Sequence, residues 1–239
     1  MYATVVGHFM RMYDFKAAQR VNFFLANSKE TAARIQKFYR RKATIIYPPV
    51  SLPISNFKFQ ISNYEKDYYF MVTRLTGAKG LDIAVKAAIQ GEFTLKIAGE
   101  SGGYYTAHKN LMRIGKGHVE FLGYISDEEL VQLYAGAKAF LALARDEDFG
   151  ITPVEAMLCG TPVIAFDGGG YKETVVDKKT GILFDEDTPE GLVKAVKEFE
   201  KLRIKPEDCF KQAEKFSKQR FIKEIKDFVR SKIKVQSSK

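Results

Sequence analysis

The sequence predicts an α/β fold: a doubly wound parallel sheet with extra helices at both ends of the chain. Two observations carry that reading. From about residue 42, short β-rich runs alternate with helical patterns, as successive βαβ units require. Most of the runs after Tyr68 are nearly continuous apolar stretches. That is the composition of strands buried on both faces.

Strands are expected at 44–47, 68–73, 93–98, 119–122, 139–142, 162–166 and 182–184. A helix over 81–89 follows Gly80. Another over 127–135 follows Ser126, which with Glu129 makes a capping-box pattern. The helix over 151–158 stops at Gly160. Thr188-Pro189 places a cap before a proline at the first helical position and opens a helix to about Leu202.

The first 40 residues stand outside this alternation. Residues 15–24 read as helical, and Ser28 caps a second helix over 29–40. Pro48-Pro49 marks a break, and 51–66 is polar and irregular. The segment 216–234 is a basic amphipathic helix with Phe221, Ile225, Phe228 and Val229 on one side. Such a stripe docks on a core more often than it lies on a membrane. The expected organisation is therefore a helical segment over 1–43, a Rossmann-like domain over 44–215 and a C-terminal basic helix over 216–239.

A chain of 239 residues, 46% hydrophobic, supports one full core, or one core plus a fragment of another. It has no apolar run of about 18 residues, so no membrane-spanning helix is expected. Its start lacks a basic region followed by a long apolar stretch and does not read as a secretory signal. Cys159 and Cys209 are its two cysteines and imply no disulfide framework. A reduced, cytoplasmic protein is expected, with peripheral contact at the cytosolic membrane face. The net charge of +9, from 38 basic and 29 acidic residues, is either a solvated lysine-rich surface or an attraction to phosphates. The lysines are spread and no RNA-recognition or helix-turn-helix signature occurs, so nucleic acid is not an expected partner.

In a doubly wound domain ligands bind beyond the carboxyl ends of the strands, so the loops there carry the candidate chemistry. The strongest runs from Asp146 to Met157, between the apolar strand at 139–142 and the next helix. Glu147 precedes that helix and Glu155 lies in its second turn. Phe149, Gly150 and Ile151 should present backbone N–H groups at the helix start, where the macrodipole suits a phosphate or a sugar hydroxyl. Acidic residues that merely complement a helix start would explain Glu147 and Asp148 but not Glu155. Carboxylates beside an anion site fit a ligand that bears hydroxyls as well as phosphates.

The loop Arg74-Leu75-Thr76-Gly77-Ala78-Lys79-Gly80 offers two cations for a diphosphate; alone, it reads equally as a basic surface loop. Gly168-Gly169-Gly170 allows close backbone approach to a ligand, or simply a tight turn. The loop Gly99-Glu100-Ser101-Gly102-Gly103 does not match the dinucleotide fingerprint, which disfavours a nicotinamide enzyme.

Together these residues resemble a family. Glu147 and Glu155, seven residues apart within EDFGITPVEAMLCGTPVIAFDGGGYKETV, are similar to the E-x7-E signature of family 4 glycosyltransferases, which have the GT-B fold. RLTGAKGLDIAVKA resembles the family's phosphate loop, and TGILFDEDTPEGLVKAV its closing strand and helix. The resemblance covers roughly residues 44–235 and is strongest to mannosyltransferase-like members, which carry EDFGITPVEA in this form. It implies that Glu155 hydrogen-bonds the nucleotide ribose and that Glu147 meets donor-sugar hydroxyls. Arg74 and Lys79 would hold the diphosphate. Phe149, Gly150 and Ile151 would supply N–H groups. Gly123, Tyr124 and Ile125 would lie at the base, and Gly169 would line the cleft.

The segment from His8 to Tyr39 resembles the last part of the N-terminal domain in these relatives. His8 matches a histidine that sits over the donor sugar, although Phe9 replaces the usual proline. The implied activity is retaining transfer of a hexose, mannose first, from GDP-mannose to a glycan or lipid-linked acceptor. It needs no metal and no cofactor. The alternative is a catalytically incomplete sugar-nucleotide-binding module that needs a separate N-terminal acceptor-domain protein.

Overall fold

The computed structural model describes residues 2–53, 66–73, 79–99 and 105–236. The chain forms two compact units, Met1–Pro48 with Phe221–Lys239, and Pro49–Arg220.

In the first unit, α1 (Tyr2–Gln19) leads to β1 (Phe24–Ala26), α2 (Lys29–Tyr39) and β2 (Ala43–Ile45). The strands pair in parallel, Phe24 opposite Ala43 and Ala26 opposite Ile45. Residues 15–24, expected as one helix, are thus divided. The helix spans Tyr2–Gln19, and Phe24 starts a strand because its backbone pairs with the segment after α2. The strand expected at 44–47 is β2, and it joins β1 instead of the larger sheet. Ser28 caps α2 as expected, its hydroxyl accepting from the Thr31 N–H at 2.9 Å. Arg41 secures the turn between α1 and β1 by donating to the Val21 carbonyl at 2.8 Å. The final helix, α10 (Lys218–Gln236), belongs to this unit from Phe221 onward. There Phe228 meets Phe23 edge to face at 6.2 Å, and Lys232 lies over both rings.

The second unit holds the doubly wound sheet. Its strands are β3 (Tyr68–Val72), β4 (Leu95–Ala98), β5 (Val119–Gly123), β6 (Ala137–Ala142), β7 (Val163–Phe166) and β8 (Gly181–Phe184). They are all parallel, in the order β5-β4-β3-β6-β7-β8. Both faces are covered. Tyr69 and Met71 of β3 join a cluster with α3 (Leu81–Gln90) and α8 (Pro189–Phe199). Phe70 points the other way, meeting Tyr134 of α5 (Asp127–Gly136) edge to face at 5.3 Å. That double cover is why the strands read as unbroken apolar runs.

The expected helix starts hold. Ser126 and Glu129 make both bonds of the capping box, and Thr188 caps α8 with Pro189 following. Ser126→Ala is expected to cost about 1 kcal/mol, read as a lower urea midpoint with an unchanged slope. Helices α4 (Tyr105–Ile114), α7 (Tyr171–Thr174) and α9 (Pro206–Glu214) complete the unit. The helix expected over 151–158 is α6 (Ile151–Leu158), whereas α4, α7 and α9 were not among the expected helices.

Candidate functional site

The strand order reverses between β3 and β6. Chain continues outward from β3 to β4 and β5, then crosses back to β6. The ends of those two central strands open a crevice, the usual ligand position in such sheets. A cleft of about 620 Å³ occupies it, lined by Thr73 after β3, by Leu143 and Ala144 after β6, and by Lys79, Glu147 and Tyr171. That volume lies within the range of small-molecule sites.

Lys79 reaches the cleft because α3 starts hard against the end of β6. Gly80, the N-cap, has φ +71, and a Cβ there would come within 2.6 Å of the Leu143 Cβ. Only glycine lets helix and strand approach so closely. Across the cleft, Lys79 Nζ donates to Glu147 Oε2 at 2.8 Å. The lysine side chain is 41% exposed and the glutamate 24%. An ion pair this wet is worth about 0–1 kcal/mol, so either partner can exchange it for a ligand at little cost. Two residues 68 positions apart thus meet where the sequence placed a cation and an acid.

The loop holding Glu147 is set from behind by the glycine triplet. The Gly170 N–H donates to the Glu147 carbonyl at 2.7 Å. Gly169 has φ +52, and a Cβ on it would strike that same carbonyl. The close approach expected between Gly169 and a ligand is therefore an approach to the chain's own backbone, and Gly169 is not among the residues lining the cleft. The triplet fixes the loop after β6 by packing.

After Glu147, Phe149 turns inward, 2% exposed, and meets Phe216 edge to face at 5.2 Å. Gly150 is the N-cap of α6, with φ +87 and no side-chain cap. The first residues of the helix, Ile151 and Thr152, line the cleft. An uncapped start of this kind offers N–H groups and the positive end of the helix dipole.

Glu155 takes a different place. Its Oε2 accepts from the Tyr134 hydroxyl at 3.0 Å, and it is not among the residues lining the cleft. Burial raises its carboxyl above the ordinary glutamate range, while the Tyr134 bond acts in the opposite direction. The folded state then holds the proton more tightly than the unfolded chain. Stability is greatest in acid and falls as pH rises through the ordinary carboxyl range to the raised value. Glu155→Gln keeps an acceptor for Tyr134 and removes that penalty. It is expected to raise the melting temperature at neutral pH by a few degrees and to change it far less in acid.

Gly123 ends β5, and its carbonyl accepts from the Gly99 N–H at 2.8 Å. Tyr124, 79% exposed, lines both the cleft and a neighbouring depression that includes Ile125 and Glu129. His8 lies in the first unit, exposed on α1, its ring edge-on to Phe9. Arg74 lies outside the described residues.

Among the described polar side chains lining the cleft, Thr73, Thr152 and Tyr171 were not among the expected site residues. Tyr171 is 4% exposed. Burial, followed by the nearby Glu147 charge, pushes its hydroxyl pKa up, so the phenol stays neutral, and it hydrogen-bonds the Ala144 backbone. A tyrosine directly after a glycine triplet was the available signal. Tyr134 was missed as well, because a buried tyrosine in a helix reads as ordinary core.

The sheet order and the cleft at its reversal define a Rossmann-like α/β domain, one half of a GT-B fold. The chain belongs to the glycosyl transferases group 1, whose family model matches residues 54–216. It is 28% identical over 189 residues to an uncharacterized glycosyltransferase of Methanocaldococcus jannaschii, covering 78% of this chain and 52% of that protein. It is 28% identical over 194 residues to the alpha-1,3/1,6-mannosyltransferase ALG2 of Mus musculus, covering 68% of this chain and 46% of the relative. Among solved structures, Anabaena HepE in complex with UDP and glucose superposes with a TM-score of 0.76 at 24% identity, covering 92% of this chain and 66% of that one. The chain spans about half the length of the curated relatives it matches.

Proposed function

We propose that this chain is the donor-binding half of a retaining glycosyltransferase, transferring a hexose from a nucleotide diphosphate sugar to a glycan or lipid-linked acceptor. The observation that carries the reading is the Lys79–Glu147 pair across a cleft at the sheet's switch point, beside the uncapped start of α6. A cation and a helix N-terminus suit the negative charge that builds on a departing diphosphate. A carboxylate suits sugar hydroxyls. Lys79 and the N–H groups of Gly150 and Ile151 hold the phosphates, joined by Arg74 and Phe149. Glu147 accepts from the sugar, and Glu155 accepts from the ribose in exchange for its Tyr134 bond. Gly123, Tyr124 and Ile125 meet the base, while Gly169 acts through the loop it holds. His8 is assigned to the donor sugar from the family resemblance alone.

The proposed donor is GDP-mannose. The EDFGITPVEA motif and the likeness to the mouse mannosyltransferase support mannose, and the cationic side chains make a metal or cofactor unnecessary. Calorimetry with GDP-mannose, UDP-glucose and GDP, on the protein and on Glu155→Ala, tests donor and site together. GDP-mannose is expected to bind tightest, and Glu155→Ala to weaken it at least ~10-fold, the loss of one charge-assisted hydrogen bond. Unchanged affinity in that variant overturns the assignment.

A second reading rests on the share of its relatives the chain spans. Here the chain is a sugar-nucleotide-binding module that transfers only with a separate N-terminal acceptor-domain protein. Transfer that appears only when cell extract is added, with donor binding intact without it, selects this reading.

A further inference from the structure

Tyr134 of α5 is wholly buried, yet it carries a phenol. Its ring meets Phe70 of β3 and Phe140 of β6, both edge to face, at 5.3 and 5.4 Å. Its backbone carbonyl accepts from the Thr161 hydroxyl at 2.6 Å, which ties α5 to the turn after α6. Ring and backbone are both held, so the hydroxyl occupies a fixed point. Among the described residues its hydrogen bond is the one it donates to Glu155 Oε2 at 3.0 Å.

Glu155 is held at one end only. Its backbone belongs to α6, where Val154 and Ala156 on either side are buried. The cleft takes in Ile151 and Thr152 from the first turn of that helix, but not Glu155. With the helix fixed, the carboxylate reaches a ligand in the cleft by turning about its own side-chain bonds. The phenol, wedged between two rings, cannot follow. Turning therefore leaves a buried O–H without an acceptor, which costs more than the bond itself contributed. The phenol does not escape by ionising, because burial, then the Glu155 charge, holds its pKa well above the ordinary tyrosine value.

Resting on the assignment of Glu155 to the ribose, we propose that Tyr134 is a latch on that carboxylate: it holds Glu155 turned from the cleft, and binding of the nucleotide has to break the bond. Tyr134 is then a positioning residue that weakens the grip on donor and on departing nucleoside diphosphate alike. The bond that opposes entry re-forms as the diphosphate leaves. The opposite arrangement keeps Tyr134 on Oε2 while Oε1 meets the ribose. It predicts an effect of the opposite sign when the phenol is removed.

Calorimetry on the whole chain decides the sign. GDP and UDP are titrated, together with their dideoxy forms, which lack the ribose hydroxyls. Tyr134→Phe should bind the preferred diphosphate ~10-fold more tightly, because no buried donor is left unpaired in its complex. The gain should vanish in a Glu155→Ala background, since the latch acts through that carboxylate. It should vanish as well for the dideoxy diphosphate. A change merely transmitted through packing would persist in both. Removing one hydroxyl leaves the ring contacts in place, so the melting temperature should fall by only a few degrees. A ring-fluorinated tyrosine at position 134, which donates a stronger bond, should weaken diphosphate binding and gives a second reading should the phenylalanine variant not fold. Weaker or unchanged affinity in Tyr134→Phe, or unchanged affinity with the fluorinated ring, overturns the latch. If Glu155→Ala alone leaves diphosphate affinity unchanged, or if neither diphosphate binds, the ribose assignment falls and the latch with it. If Glu155→Ala weakens binding and Tyr134→Phe does not tighten it, the latch alone falls.

Discussion

Lys79→Ala is expected to lower sugar transfer, or donor hydrolysis where no acceptor is supplied, by ~10²–10³-fold, the effect of removing one preorganised group from developing negative charge. Folding should barely register the change. The pair it breaks is half in water and worth about 0–1 kcal/mol. The discriminating measurement is affinity for a nucleoside diphosphate against the bare nucleoside. The diphosphate should lose ~10-fold or more, the share of one charged hydrogen bond, while the nucleoside is unaffected. Equal losses for both would show that Lys79 only shapes the loop. Glu147→Gln keeps the shape and removes the charge. It should weaken the sugar contribution and leave diphosphate affinity intact or stronger, since the lysine is no longer held by a carboxylate.

The second large effect is structural. Gly169→Ala forces a side chain into a left-handed backbone, at about 1–2 kcal/mol, and drives its Cβ into the Glu147 carbonyl. The total should reach about 3 kcal/mol or more, in the range of strained and overpacked sites. Gly117→Ala is the control: φ is +99 and nothing lies within 4 Å of the added Cβ, so it should show the backbone strain without the collision. Urea unfolding of both variants separates the two contributions. Donor affinity should fall in Gly169→Ala even where it remains folded, because the displaced carbonyl belongs to Glu147.

These contrasts show what was legible in the sequence. The parallel sheet could be read because strands covered on both faces have no polar face to interrupt their apolar runs; Tyr69 and Phe70 are both 0% exposed on opposite sides. The capped helices could be read because Ser126 and Thr188 act within one turn. Lys79 and Glu147 were identified as candidates by residue type and loop position. Their meeting depends on Gly80 seating α3 on Leu143, a long-range fit that no local pattern encodes. The glycine triplet left two readings open for the same reason: the sequence shows that something comes close, not what. At the N-terminus, β1 has three residues, too few for a periodic signal, so the strand at Phe24 was absorbed into a helix, whereas its partner β2 was legible in the run at 44–47.

Glu147 leads directly into α6 and Glu155 is part of it. That helix is anchored by Val154 and Met157, both 0% exposed, and closed at Gly160, whose Cα hydrogen faces Phe210 of α9. The two carboxylates therefore have separate mounts, like the jaws of a calliper: Glu155 on the stiff bar of the helix and Glu147 on the loop clamped by Gly169 and Gly170. On the proposed reading, a donor that reaches both is gauged by the distance between a jaw on a fixed bar and one set by the glycine clamp.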